Sequence, residues 1–134
     1  MERRAIEAGG YKDLVVWQRS MDLAQMFYEV TREWPADERF GLTDQVRRAA
    51  VSIPANIAEG HGRGTPREFH HHCSIAKGSL SEVETHLLLA HRLDYLDQIA
   101  LDRLTRLTTE VARMLRGFMN HLRSTTNGQS PRSS

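Results

Sequence analysis

Two stretches of the chain repeat apolar residues at alternating steps of four and three. One runs Phe69, Cys73, Ala76, Leu80, Val83, Leu87, Ala90; the other runs Leu101, Leu104, Thr108, Val111, Leu115, Phe118, Leu122. A mean step near 3.5 residues is the seam of helices that pack nearly parallel or antiparallel with a left-handed twist. It is incompatible with a strand, whose period is two, and no strand-like alternation appears elsewhere. The connector "RLDYLD" between the two stretches is short, which requires antiparallel neighbours.

Two more helices precede them. Leu14, Trp17, Met21, Ala24, Tyr28 and Thr31 form one stripe, and Val16, Leu23, Phe27, Val30 and Trp34 a second beside it. Asp13 is the expected N-cap of this first helix, and Pro35 the expected stop after Trp34. A double stripe is wider than one seam needs, so Trp17, Phe27, Tyr28 and Trp34 are candidates for an interface between subunits. "PADERFG" connects to a second helix that begins near Leu42 and carries Val46, Ala49, Ala50, Ile53 and Ile57, with Gly60 as its expected end. "TPRE" then opens the third helix, with Thr65 as N-cap, Pro66 in the first turn and Glu68 placed to complete a capping box. The predicted fold is all-α, an antiparallel up-down four-helix bundle over residues 12–123, expected to assemble as a homo-oligomer. Residues 1–11 and 124–134 are expected to be flexible.

The stretch "RRAAVSIPANIAEGHGRG", Arg47 to Gly64, places a proline inside the second helix. Pro54 removes a backbone donor and ordinarily kinks or ends a helix. The apolar stripe nevertheless keeps phase through it, so the helix is expected to bend and continue. Beside that stripe runs a polar line: Gln45, Arg48, Ser52, Asn56 and Glu59. The third helix offers a matching line in Ser79, Glu82 and His86. The expectation is a structural polar network in which Arg48 pairs with Glu82 across the helices, and Ser52, Asn56, Glu59 and Ser79 meet the remaining hydrogen-bonding needs. Gly78 and Ser79 are small enough to admit a closely packed helix. The alternative is a solvated helix face.

Composition narrows the function. One hundred and thirty-four residues make one domain, and 18 Lys and Arg against 17 Asp and Glu leave a net charge of +1, so no global basic field exists. No apolar run approaches the roughly twenty residues of a membrane span. "MERRAIEAGG" lacks the apolar core of a secretory signal. The single cysteine, Cys73, excludes an internal disulfide and suits a reducing cytoplasm. It lies on the core stripe, as a buried hydrophobe would. Glu68 and His71 form one Glu-x-x-His pair, but a di-iron bundle needs a second pair and two more inward glutamates. His70, His71 and His72 fan around the helix and read as solvated residues. "GHGRG" follows a helix and lacks the Lys-Ser/Thr of a phosphate-binding P-loop. No enzyme activity, metal or cofactor is expected.

The segments "YKDLVVWQRSMDLA", "ERFGLTDQVRRAAVSIPANIAEGHGR" and "EFHHHCSIAKGSLSEVETHLLLAHRLDYL" resemble, in that order, a bacterial four-helix-bundle family. That family is named for proteins encoded in intervening sequences of 23S ribosomal RNA genes. The resemblance spans roughly Tyr11 to Leu122, with Gln45 to Gly60 its most specific part. It implies a small cytoplasmic homopentamer without known enzymatic chemistry. A related branch, the accessory proteins of diversity-generating retroelements, binds nucleic acid and a reverse transcriptase. Arg47, Arg63, Arg67 and Lys77 are therefore candidates for contacting structured RNA or a protein–RNA complex. The alternative is a scaffold that binds a protein partner without nucleic acid.

Overall fold

The computed structural model describes residues 10–127. It contains four α-helices: α1 (Val15–Thr31), α2 (Leu42–Gly62), α3 (Pro66–Arg92) and α4 (Gln98–Asn127). Short 3-10 turns, Gly10–Asp13 and Ala36–Glu38, precede α1 and α2, and no strand occurs among the described residues. Each helix packs on its sequence neighbour, and α1 closes the ring against α4. The result is the up-down bundle that the heptad steps predict. No helix among the described residues is long and apolar enough to cross a membrane.

Every position of the α3 stripe, from Phe69 to Ala90, is buried. On α4 the buried row is Leu101, Leu104, Thr108, Val111, Leu115 and Leu122, joined by Leu107 and Met119. Thr65 opens α3 as foreseen, its Oγ1 accepting the Glu68 backbone N–H at 3.1 Å. Asp97 caps α4 by accepting the Ala100 N–H at 2.9 Å. α3 ends in a left-handed turn at Asp94 (φ 63°), and the Tyr95 N–H reaches the Ala90 carbonyl at 2.9 Å. That 6→1 bond is the Schellman geometry, here with Asp where Gly is commoner.

Several boundaries differ from the sequence reading. Asp13 lies in the 3-10 turn rather than at an N-cap, and α1 starts after Leu14 with no side-chain cap. α1 stops at Thr31, and Trp34 folds back from the following turn to pack 5.8 Å from the Tyr95 ring. α2 runs two residues past Gly60, and the left-handed glycine is Gly64 (φ 87°). Gly60 instead serves close packing, because a Cβ there would stand 2.7 Å from His72 Cβ and 3.0 Å from Phe69 Cδ1. Gly78, expected to admit a neighbouring helix, faces open space, with nothing within 4 Å of an added Cβ. Tyr11 belongs to the fold, its ring edge-on to Trp17 at 5.3 Å, and α4 continues through residues 124–127. The remaining expectations of flexibility, for 1–9 and 128–134, fall outside the described residues.

α2 stays continuous across Pro54. Ile53 and Ile57, one on each side in phase, are both fully buried, so tertiary packing holds the helix where the missing backbone bond would release it.

Candidate nucleic-acid interface and the polar seam

The α2–α3 seam contains a connected set of side-chain hydrogen bonds. Ser79 Oγ donates to Ser52 Oγ at 2.9 Å. Asn56 Nδ2 reaches both the Ser52 carbonyl and Ser52 Oγ, at 2.9 and 3.0 Å. Its Oδ1 faces His72 Nδ1 at 3.1 Å. With the amide nitrogen committed to Ser52, Nδ1 must be the protonated ring nitrogen of His72. Ser52, Asn56 and Ser79 are thus brought together as the sequence line suggests.

The charged members of that line are not. Arg48 is turned out to solvent and pairs with Asp44 one turn back at 2.9 Å, so the expected Arg48–Glu82 bridge does not form. Glu82 lies 3.6 Å from His86 on its own helix, and Glu59 pairs with Arg63 at 2.8 Å. Intrahelical partners one turn away keep these charges in water, whereas a bridge across the seam would desolvate both. The member that sequence reading missed is His72, taken there for a solvated histidine but 8% exposed. Its signal was available: His72, Ser79 and His86 are spaced by seven residues and so share one heptad position.

The aromatic interface candidates divide. Phe27 is fully buried and Trp34 6% exposed, so both fill the subunit's own core and leave no surface for a partner. Trp17 is half-buried under Tyr11, and Tyr28 is exposed beneath Arg47. Large apolar exposure lies elsewhere: Phe40 is 86% and Ile99 72% exposed, and Ile75, one turn from His72 and Ser79 on α3, is 42% exposed.

The four candidate cations are dispersed. Arg47 donates to Thr31 Oγ1 at 2.7 Å and stacks over the Tyr28 ring. Arg63 is held by Glu59, whose carboxyl is drawn below its ordinary range first by that hydrogen bond and then by the His72 charge. Arg67 and Lys77 are exposed without ion-pair partners among the described residues. Lys77 shares a groove of about 280 Å³ between α3 and α4 with Ser81, Glu84, Thr109 and Arg116.

Arg116 belongs to a row absent from the sequence reading. α4 carries Arg103, Arg106, Arg113, Arg116 and Arg123, at steps of three, seven, three and seven, and all five are exposed. These steps follow the heptad, so the arginines ride the face opposite the buried leucines. The helix's two acids, Asp102 and Glu110, are already engaged by Gln98 (2.9 Å) and by Arg19 (3.0 and 3.2 Å). Arg103, Arg106 and Arg116 have no ion-pair partner among the described residues.

Cys73 is fully buried, and burial pushes its thiol up to about 12, far from a reactive thiolate. His70 points toward Arg123 on α4 (3.4 Å) while His72 points to α2, so the histidine run diverges. No group of three or more metal-ligating side chains occurs among the described residues.

A family model described as 23S rRNA-intervening sequence protein matches residues 12–117. A search of curated proteins finds no match. Among solved structures, the chain is similar to a crystal structure of a protein with unknown function from the S23 ribosomal protein family of Bacteroides thetaiotaomicron. The two share 23% identity and a TM-score of 0.72, over 79% of this chain and 96% of that one. At that identity the likeness concerns the fold.

Proposed function

Because the chain belongs to the 23S rRNA-intervening sequence protein family, we propose that it is a non-enzymatic bundle that binds structured RNA, alone or within a protein–RNA complex. The observation that supports this reading is the exposed arginine row of α4, in which Arg103, Arg106 and Arg116 have no ion-pair partner among the described residues, with Lys77 across the α3–α4 groove. Guanidinium groups along one helix face suit successive phosphates, and an A-form duplex is recognised mainly through phosphates and 2′-hydroxyls. With a net charge of only +1, attraction comes from this face and not from the molecule as a whole.

Filter binding to a structured RNA in rising salt tests the reading. Log affinity should fall linearly with log salt, and an R106Q/R113Q/R116Q variant should lose roughly one unit of slope per removed contact. Binding that is absent at low salt, or indifferent to salt, removes the proposal.

Self-association in the cytoplasm is part of the same reading. Ile75, with open Gly78 one turn on, gives the α3 side of the seam an apolar edge suited to another copy. Sedimentation decides: a monomer of 15.3 kDa at micromolar concentration rules assembly out. Should RNA binding fail while assembly holds, a scaffold for a protein partner becomes the better account.

A further inference from the structure

The corner where α1 turns into α2 holds a second group of cations, separate from the α4 row. An open depression of about 290 Å³ lies there, with Thr31, Arg32, Trp34, Arg39, Thr43 and Arg47 in its wall. Its three arginines come from three segments: the C-terminal cap of α1, the end of the Ala36–Glu38 turn, and the second turn of α2. None has an ion-pair partner among the described residues. Arg47 is held by neutral groups only, Thr31 Oγ1 at 2.7 Å, the Tyr28 carbonyl at 3.3 Å and the Tyr28 ring beneath its guanidinium. Arg39 rests against the Phe40 ring at 5.2 Å.

Two of the nearby acids are engaged elsewhere, and the other two, Glu33 and Asp37, are exposed and do not line the depression. Asp44 pairs with Arg48, while Glu38 accepts the Tyr95 hydroxyl at 2.7 Å and the Leu42 N–H at 2.9 Å. No acid lines the depression.

Two buried groups in the same wall have no partner: the Trp34 indole N–H and the Thr43 hydroxyl. Their residues are 6% and 5% exposed. Buried donors are seldom left unsatisfied, because the hydrogen bond to water lost on burial is not replaced. Thr43 also sits in the first turn of α2, whose dipole favours an anion. One fixed guanidinium with two exposed ones beside it, idle donors and a helix N-terminus all favour the same class of ligand.

We propose that this corner is a binding site for a phosphate group, taken as free phosphate or as the terminal phosphate of a nucleotide. Arg47 supplies a pre-positioned donor, Arg32 and Arg39 close on the phosphate from the exposed side, and the Trp34 N–H and Thr43 hydroxyl, buried behind them, are satisfied when side chains of the wall shift to admit the anion. The site is spatially separate from the α4 row on which the RNA reading rests; Arg47, a candidate for RNA contact from sequence, is the one residue the two share.

The test is titration of the full chain at low ionic strength, followed by its amide and indole N–H resonances. Inorganic phosphate should move the Trp34 indole signal and leave that of Trp17, at the opposite end of the bundle, in place. R32Q and R39Q, at exposed positions that spare the fold, should each weaken binding about tenfold, the loss expected for one charge-assisted hydrogen bond. Adenosine 5′-monophosphate and adenosine separate the sources. Tighter binding of the nucleotide than of phosphate makes it the ligand, and equal binding makes it free phosphate; either result supports the site. Adenosine binding as well as its monophosphate overturns it. So does a Trp34 signal unmoved by millimolar phosphate and nucleotide, or affinity unchanged in R32Q and R39Q.

Discussion

The α2–α3 and α1–α4 seams join helices of one bundle by different means. Across α2–α3, Gly60 lets the helices close, Ile53, Ile57 and Val83 are fully buried, and Ser52, Asn56, His72 and Ser79 bond to one another. Across α1–α4, the only side-chain hydrogen bonds among the described residues join Arg19 to Glu110, and both side chains are over a third exposed. Two depressions, of about 220 and 350 Å³, open along that second seam. Small and neutral polar residues thus draw two helices together, while long charged ones span two that stay apart. The difference follows from desolvation: neutral hydrogen-bonding groups can enter a seam at little cost, and ion pairs remain where water reaches them.

The largest expected effect separates the two kinds of surface through glycine alone. Gly60→Val forces a branched side chain against His72 Cβ and Phe69 Cα, atoms at or beside the backbone that cannot swing away. It should destabilise by about 3 kcal/mol, the upper end of ordinary overpacking costs. Gly117→Ala on α4 meets nothing within 4 Å and should stabilise by about 0.5–1 kcal/mol through helix propensity. Urea midpoints with unchanged m-values would read both, and a neutral Gly60→Val would mean that the α2–α3 seam is looser than drawn.

The next effect lies in the network. Asn56→Ala removes the partner of His72 Nδ1 and one partner of Ser52, and should cost about 2 kcal/mol; Ser79→Ala, with one neutral bond, should cost about 1 kcal/mol. Arg48→Ala, at a side chain 78% exposed, should leave the midpoint where it was. Equal losses at Arg48 and Asn56 would reinstate a charged seam.

The bundle was legible because its two strict heptads, the "TPRE" start and the phase kept through Pro54 are local patterns that packing has no reason to override. Burial at every α3 stripe position follows from them. The site was legible only in part. Sequence spacing brings Ser52, Asn56 and Ser79 to one seam, but it cannot say whether a long Arg48 side chain reaches across to Glu82 or back to Asp44. His72 hid inside a histidine run, although its seven-residue distance from Ser79 marks the seam. The α4 arginines hid because they complement a leucine stripe and read as ordinary solvated face. The corner of Arg32, Arg39 and Arg47 is assembled by a turn, and no periodicity reports it.

The smallest effect tests the open seam. Glu110→Gln leaves the shape of the Arg19 contact and removes its charge, so a small drop in Tm should appear at low salt and vanish at high salt. Its pH dependence has a definite sign. The hydrogen bond from Arg19, ahead of the two arginine charges nearby, holds the Glu110 carboxyl below its ordinary value of 4.5 in the folded chain. A carboxyl depressed in the fold adds stability in full above the unfolded value and loses it as pH falls through the folded one. The Tm difference between the original chain and Glu110→Gln should therefore be largest near neutrality and shrink below about pH 4.5, where the carboxyl takes up its proton. A difference that survives both high salt and acid would mean that this pair is shielded from water, and the contrast between the two seams would then rest on Gly60 and the neutral network alone.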